Sequence, residues 1–189
     1  MLEGNIIMIL SFSQQLNGKP TYFIEKIWEC LPDKDIDVYD LIVMDYRIRF
    51  GKEWDGKYFI NHNPKLHTIR EDKKSRWGAG SDIHFVINSR TKNYFQFAPV
   101  IKCKSVQTIE IKDVSHLPNV SEYGIVLGYP VKDMVFNLAF SVIIDGIPQT
   151  EGQITQLAIN DGFDSVEDFF AYFNKDFKGV IVHWTDLKY

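Results

Sequence analysis

The chain has 189 residues, of which 45% are hydrophobic and 14% aromatic, so it can build a packed core without a disulfide framework or a structural metal. Its formal net charge is −4, which argues against a protein that grips long duplexes through a strongly basic face. A small basic pocket for one nucleotide or a short single strand remains compatible with this charge.

Two cysteines, Cys30 and Cys103, are too few for a disulfide framework, and neither has Cys or His neighbours at zinc-ligand spacing. We expect free thiols in a reducing compartment, and neither a metal nor a cofactor. The apolar run Ile6–Leu10 is too short for a signal sequence, and no segment approaches the roughly 18 apolar residues of a membrane span. The sequence therefore predicts a cytoplasmic protein without a membrane partner.

The first third of the chain predicts a strand, a turn and a helix. Ile6–Phe12 is apolar and β-prone, and Asn17–Pro20 has the composition of a turn. Pro20 suits the first turn of a helix, and the apolar residues of Thr21–Leu31 lie at helical spacing. Residues 33–63 resemble an insertion.

Within this insertion we predict a strand at Leu41–Phe50, followed by a loop. Beyond it, Ile83–Ile87 predicts a short strand and Tyr94–Ile111 one bent strand or two. Residues from about 113 to 134 resemble a second insertion. Val135–Ile144 is β-prone and stops at a tight-turn signal, Asp145-Gly146.

The last third contains helix signals. Thr150 with Gln153 fits a capping box, Gly162 suits a left-handed C-cap, and Asp164 is predicted to cap the next helix. Gly179–Trp184 predicts a closing buried strand. Because strands come first and short helices come late, the order favours an α+β or barrel-with-helices architecture.

The segment Lys65–Arg70 has side chains suited to an anionic or polar ligand. Arg70 can contact a phosphate with two hydrogen bonds, and Lys65 becomes a usable base if burial lowers its pKa. The hydroxyl of Thr68 needs a neighbouring base to react, and Trp77 can stack on a nucleobase. The alternative is a solvated edge with surface ion pairs.

The second candidate is the junction around Asp161. A carboxylate at the C-terminus of a helix opposes the helix dipole, and a residue that breaks a local rule is a functional suspect. The alternative is a solvated loop aspartate. None of the five histidines is paired at metal-ligand spacing, so we predict no metal site.

Together these motifs resemble the ASCH domain, a member of the PUA-like superfamily of small RNA-associated β-barrels. The resemblance is carried by Lys65-x-x-Thr68-Ile-Arg70, by Gly80-Ser-Asp-Ile83, and by the junction Asn160–Phe169. It implies one α+β domain over residues 1–189, with a PUA-like mixed β-barrel, flanking short helices and the two insertions.

Some small ASCH members are amidohydrolases that remove the acetyl group from N4-acetylcytidine. In them a Lys and a Thr three residues apart act with a downstream Glu. The resemblance places Lys65 and Thr68 in the first two roles, and Asp161 at the position of the Glu. The implied catalytic residues are therefore Lys65, Thr68 and Asp161.

Three functions follow as hypotheses. The first is a module that binds RNA or a modified nucleoside, with Arg70, Trp77, His67 and Arg76 as ligand-binding residues. The second is an amidohydrolase acting on N4-acylated cytidine. The third is a protein-interaction domain without a small ligand, for which we expect an exposed apolar patch.

Overall fold

The computed structural model of the chain describes residues 7–31, 35–54, 62–114, 125–126, 129–130 and 140–189. Four helices and several sheets give the mixed α+β fold that the element order predicts. Residues 55–61 of the predicted loop, most of the second predicted insertion and residues 135–139 lie outside the described residues.

The first sheet is built around one central strand that pairs with three other strands. β1 (Ile7–Ser11) runs parallel to β5 (Asp82–Ile87), and β6 (Phe95–Gln96) and β7 (Ile101–Lys102) pair with β5 in the antiparallel sense. The stretch that we predicted as one or two strands from Tyr94 thus contains three, because the chain leaves the first sheet and then enters the second.

A short hairpin connects β1 to the first helix. β2 (Gln15–Leu16) pairs with β3 (Lys19–Pro20) around Asn17 and Gly18, whose φ angles are 50° and 76°. This confirms the predicted turn but not the helical position of Pro20. The hairpin holds Pro20 in β3, and helix α1 begins only at Phe23 and runs to Cys30.

Helix α2 (Ile36–Phe50) replaces the predicted strand, so that prediction was wrong. Asp35 caps its beginning by accepting hydrogen bonds from two backbone N–H groups, and Gly51 ends it with a φ of 61°. Tyr39 is buried on the core side, whereas Leu41, Met44 and Ile48 are 58%, 51% and 73% exposed. At a spacing of three and four residues, they form one apolar stripe on the outer side.

The second sheet has five antiparallel strands: β4 (His67–Arg70), β8 (Ser105–Asp113), β11 (Phe140–Ile144), β12 (Ile147–Pro148) and β13 (Phe177–His183). Their order across the sheet is β12-β11-β8-β13-β4. The predicted closing strand is thus confirmed as β13, which lies between β8 and β4. A separate pair, β9 (Ile125–Val126) and β10 (Tyr129–Pro130), is all that the structure describes between residues 115 and 139.

Helices α3 (Glu151–Asn160) and α4 (Val166–Tyr172) follow β12. The capping box of Thr150 and Gln153 is present as predicted, with both reciprocal hydrogen bonds. Ser165, not Asp164, caps α4, since its hydroxyl accepts from the backbone N–H of Asp168 at 3.1 Å. The predicted cap at Asp164 was therefore wrong.

Two hydrophobic clusters meet at β13. Val182 packs with α1, α2 and the first sheet, whereas its neighbour Ile181 packs with α3 and α4. Both side chains have 0% exposure, because successive residues of a strand point to opposite faces and both faces of β13 are covered.

Among the described residues, no hydrogen-bonded strand pair joins the two larger sheets, and no closed barrel is formed. Within the same part of the chain, no helix has both the length and the apolar character that crossing a membrane requires. Cys30 is half-buried and Cys103 is buried, and neither is in a disulfide, as the sequence predicts.

Candidate active site

The approach to β4 is held by two helices before the strand begins. The backbone N–H of Lys65 donates to the carbonyl of Lys26 in α1 at 2.9 Å, and that of Leu66 donates to the carbonyl of Asn160 in α3 at 2.8 Å. The thiol of Cys30 donates to the carbonyl of Lys65 at 3.0 Å. These contacts keep Lys65 and Leu66 out of regular strand pairing, so the strict alternation of a strand does not apply to Lys65.

The C-terminus of α3 turns back sharply at Gly162, whose φ of +88° confirms the predicted left-handed cap. The N–H of Gly162 donates to the carbonyl of Ile159, and the N–H of Phe163 to the carbonyl of Ala158, each over about 3 Å, as in a Schellman motif. A β-carbon on Gly162 would lie 3.1 Å from Lys65 Cδ, so the turn passes directly over the lysine side chain.

Asp161, the residue just before this glycine, faces inward and meets Lys65. Lys65 Nζ lies 2.6 Å from Asp161 Oδ1 and also donates to the backbone carbonyl of Asp161. Their side chains are only 2% and 5% exposed. The structure therefore brings the two candidates together in a buried ion pair. Lys65 does not lie at a solvated edge and Asp161 is not a solvated loop residue, so neither alternative holds.

Burial shifts the ionisation of both partners toward neutrality. It lowers the pKa of Lys65 to about 8, although the Asp161 carboxylate opposes this shift. Burial also raises the pKa of Asp161, against the opposing influence of Lys65 and Arg70. A lysine with a pKa near 8 is neutral in roughly a tenth of the molecules at pH 7, so it can accept a proton.

Thr68 completes the group from the second position of β4. It is 2% exposed, and its side chain shares with Lys65 and Asp161 the wall of a cavity of about 50 Å³. Aromatic rings enclose the lysine, since Nζ lies 4.6 Å from the centroid of Phe23 and 5.8 Å from that of Phe12. Thr68, Lys65 and Asp161 thus line one small space.

Arg70 forms another part of the cavity wall. Its guanidinium donates to the carbonyl of Ser11 in β1 at 2.8 Å and lies 5.1 Å from the centroid of Phe12. Burial lowers the pKa of Arg70, and the charges of Asp161 and Tyr172 oppose this shift. The guanidinium is thus fixed beside the Lys65–Asp161 pair and faces the same cavity.

A wider groove of about 190 Å³ adjoins the cavity and shares with it Leu16, Phe23, Phe163 and Tyr172. Its cations are paired: Lys26 Nζ lies 2.6 Å from Asp164 Oδ1, and Lys19 Nζ lies 3.8 Å from Asp168 Oδ1. The groove is therefore a mixed apolar and polar surface without a concentration of unpaired positive charge.

The other predicted ligand-binding residues do not line the cavity. His67 is fully buried, and its Nε2 is 2.7 Å from the hydroxyl of Tyr189. Trp77 packs against the hydrophobic cluster of the first sheet, and Arg76 is exposed in the turn after β4. Backbone N–H groups of both residues donate to the Asp72 carboxylate, each at 3.0 Å.

Sequence reasoning missed three residues near the site. Lys26 donates to the carbonyl of Gly162 at 2.8 Å and pairs with Asp164, so it supports the turn that carries Asp161. Phe23 covers Lys65, and Tyr189 contacts His67 from the end of the chain. The sequence contained one signal for these residues: Lys26 lies on the apolar face of α1, and a lysine that is buried requires a partner.

In the part of the chain that the structure describes, no group of three or more His, Cys, Asp or Glu residues could hold a metal ion. The side chains of the site are suited to proton transfer by Lys65 and Asp161 and to attack by the Thr68 hydroxyl. Comparison of the chain with protein-family models, with curated proteins and with solved structures finds no match.

Proposed function

We propose that the protein is an ASCH-type domain whose buried cavity hydrolyses the exocyclic amide of an N4-acylated cytidine. One observation carries the proposal: Lys65 Nζ and Asp161 Oδ1 lie 2.6 Å apart in a cavity that Thr68 also lines. The resemblance to the ASCH amidohydrolases assigns roles to these three residues, and Asp161 lies 96 positions after Lys65 in the sequence. Their convergence supports the resemblance independently of the motif.

In the first half of the reaction, neutral Lys65 takes the proton of the Thr68 hydroxyl, and the oxygen attacks the acyl carbon. The proton then passes from Lys65 to the Asp161 carboxylate and on to the departing exocyclic nitrogen. The C–N bond breaks, cytidine leaves with its amino group restored, and Thr68 holds the acyl group as an ester.

In the second half, Lys65 takes a proton from a water molecule that attacks the ester. The ester bond breaks, Thr68 recovers its proton, and acetate leaves. No redox partner is needed. The proton that left with cytidine is replaced on Thr68 by one from the water, and the acetic acid product releases its remaining proton to the solvent. Arg70, fixed beside the pair, supplies positive charge to the oxygen that becomes negative in each attack.

Asp161 stands where the family has Glu, and this geometry suits the shorter side chain. The carboxylate reaches Lys65 because the Schellman turn brings the end of α3 directly over the lysine. The lost methylene is thus offset by the position of the backbone. This supports an active acid at residue 161.

The dimensions of the site suit a ligand with a small acyl end. The inner cavity of about 50 Å³ has the room of a few water molecules, which suits an acetyl group. The adjoining groove of about 190 Å³ then takes the base and sugar between Phe23 and Tyr172. Its paired cations favour an uncharged nucleoside over a phosphorylated one.

We also propose that the two larger sheets correspond to the PUA-like β-barrel of this family. Two features support this: the first sheet packs against Val182 of β13 in the second sheet, and backbone groups of α1 and α3 hold Lys65 and Leu66 at the beginning of the Lys-x-x-Thr motif. Residues 33–63 and 113–134 are then insertions into one domain, the first of which contributes α2.

A second candidate is binding of a modified nucleoside or single-stranded RNA without hydrolysis. Arg70 favours it, since a fixed guanidinium at a cavity wall recognises a carbonyl or a phosphate equally well. Phosphate contacts would make the affinity fall steeply with salt. A salt-insensitive affinity for the nucleoside, together with no affinity for RNA oligomers, supports the hydrolase proposal.

The direct experiment incubates the protein with N4-acetylcytidine and follows cytidine release. We expect turnover by the wild type, none by Lys65→Ala, and none by Thr68→Val, which is close in shape but lacks the hydroxyl. Thr68→Ser keeps the nucleophile and is expected to retain measurable activity. Absence of turnover by the wild type, or full activity of Thr68→Val, contradicts the proposal.

A further inference from the structure

His67 lies directly behind the ion pair. Its ring has 0% exposure; Nε2 is 2.7 Å from the Tyr189 hydroxyl, whereas Nδ1 has no hydrogen-bond partner among the described residues. This Nδ1 lies 3.7 Å from Asp161 Oδ1, the atom that pairs with Lys65. A buried ring nitrogen without a partner is costly, and here it is directed at the carboxylate of the site.

A chain of hydrogen bonds favours one position of the ring proton over the other. Gln156 Nε2 donates to Asn160 Oδ1 at 2.8 Å, and Asn160 Nδ2 donates to the Tyr189 hydroxyl at 2.9 Å. Since that hydroxyl accepts from Asn160, its own proton is available for His67 Nε2. A neutral imidazole that accepts at Nε2 carries its proton on Nδ1.

The charges around the ring favour the same assignment. Burial, Lys65 and His183 all lower the pKa of His67 well below its ordinary value, so the ring is neutral. The groups that face it are Lys65, Asp161, His183 and the Tyr189 hydroxyl. An Nδ1–H dipole directed at the Asp161 carboxylate is attractive, whereas a lone pair in that place is repulsive.

We propose that His67 is a positioning residue that holds the Asp161 carboxylate through Nδ1–H whenever Lys65 is neutral. The inference rests on the proposed function, in which Lys65 alternates between ammonium and amine. The ammonium engages Asp161 at 2.6 Å, but the amine leaves a buried carboxylate with a weaker partner. A movement of roughly 0.6 Å brings Nδ1 within hydrogen-bond distance of Oδ1 and supplies the missing donor.

Two substitutions separate the two sides of the ring. The amide nitrogen of His67→Asn occupies about the place of Nδ1 and can still donate to Asp161, whereas that of His67→Gln reaches the place of Nε2 and the Tyr189 hydroxyl. The measurement is the amine titration of Lys65 by NMR in the full chain without substrate. A hydrogen bond that forms only beside the neutral amine stabilises the deprotonated state, so we expect the pKa of Lys65 to rise by about one unit in His67→Gln and to stay near the wild-type value in His67→Asn.

In turnover, His67→Asn should keep kcat within about threefold, while His67→Gln should lose about tenfold in kcat with little change in KM. Equal Lys65 titrations in the two variants overturn the inference. A wild type that releases no cytidine, yet shows the titration difference, contradicts the proposed function and supports the hydrogen bond. The two failures are thus distinguishable.

The wild-type protein provides a test that needs no variant. Long-range proton–nitrogen correlation spectra of histidine-labelled protein report which ring nitrogen of His67 is protonated. We expect protonation at Nδ1, and loss of this preference in Tyr189→Phe, which removes the hydroxyl that donates to Nε2. Protonation at Nε2 in the wild type overturns the inference.

Discussion

Lys65 Nζ lies 2.6 Å from Asp161 Oδ1, although 96 residues separate them in the chain, and both side chains are nearly inaccessible to water. Taking two charges out of water is costly, so such a pair persists only where the surrounding backbone fixes it. Here Lys26 and Asn160 hold the chain around Lys65, and the turn at Gly162 places Asp161. The fold thus maintains an electrostatically expensive arrangement, as reaction centres commonly do.

Removing one member of the pair should destabilise the protein more than removing both. Lys65→Met leaves a buried carboxylate without its cation, and we expect a loss of about 3 kcal/mol in the free energy of unfolding at pH 8. Lys65→Met combined with Asp161→Leu should recover most of that loss. Urea unfolding of both variants checks this, and equal losses in the two would contradict a buried ion pair.

The stability of the protein should depend on pH through Lys65. Its pKa is about 8 in the folded protein and 10.5 when unperturbed, so between these values the unfolded chain binds more protons at this site. The contribution of Lys65 to stability is therefore complete above about pH 10.5 and is lost as the pH falls toward 8.

The measurement is urea unfolding of the wild type and of Lys65→Met at several pH values from 7 to 10. The difference in unfolding free energy between them should grow with pH in this window, by at most about 1.4 kcal/mol per pH unit. A difference that stays constant, or that shrinks with rising pH, shows that the Lys65 pKa is not lowered.

Gly162→Ala should damage both the fold and the site. The φ of +88° disfavours any β-carbon, and the added carbon would lie 3.1 Å from both Lys65 Cδ and Phe23 Cε1. Gly146→Ala is the matched control, because its φ is +81° but nothing lies within 4 Å of the new carbon. We expect a loss of about 1 kcal/mol for Gly146→Ala and an additional 1–3 kcal/mol, roughly, for Gly162→Ala.

Thermal unfolding followed by circular dichroism measures both glycine variants. Equal destabilisation of the two variants would show that a β-carbon at residue 162 does not clash with Lys65. Ligand affinity should fall in Gly162→Ala alone, since Gly146 lies in the hairpin between β11 and β12.

The helix over residues 36–50 can be tested at its cap. Asp35 accepts hydrogen bonds from the N–H groups of Asp37 at 2.9 Å and Val38 at 3.3 Å. We expect Asp35→Ala to cost about 1 kcal/mol in unfolding free energy and Asp37→Ala only a few tenths. The reverse order in chemical denaturation would contradict the helix start described here.

Local signals account for the elements that the sequence predicted well. The capping box at Thr150 and the left-handed glycine at Gly162 depend on residues within a few positions of each other. The helix α2 was predicted as a strand because its apolar residues do not all lie on one face of a helix. Asp35 and Gly51, its two caps, were the signals that could have indicated a helix.

Long-range pairing accounts for what could not be predicted. Asp164 was predicted to be a helix cap, but its carboxylate forms an ion pair with Lys26, which is 138 positions away in the sequence. Trp77 was a candidate for stacking on a nucleobase, yet it packs on the core. The contact between His67 and Tyr189 joins residues 122 positions apart, and no rule based on sequence spacing predicts it.

The most direct test of the central claim is a double-mutant cycle on cytidine release from N4-acetylcytidine, with Lys65→Met, Asp161→Asn and the double variant. If the two residues act as one reaction centre, each single substitution removes nearly all the activity and the double variant is hardly worse than either. Losses that multiply in the double variant, or a wild type that releases no cytidine, would contradict the account.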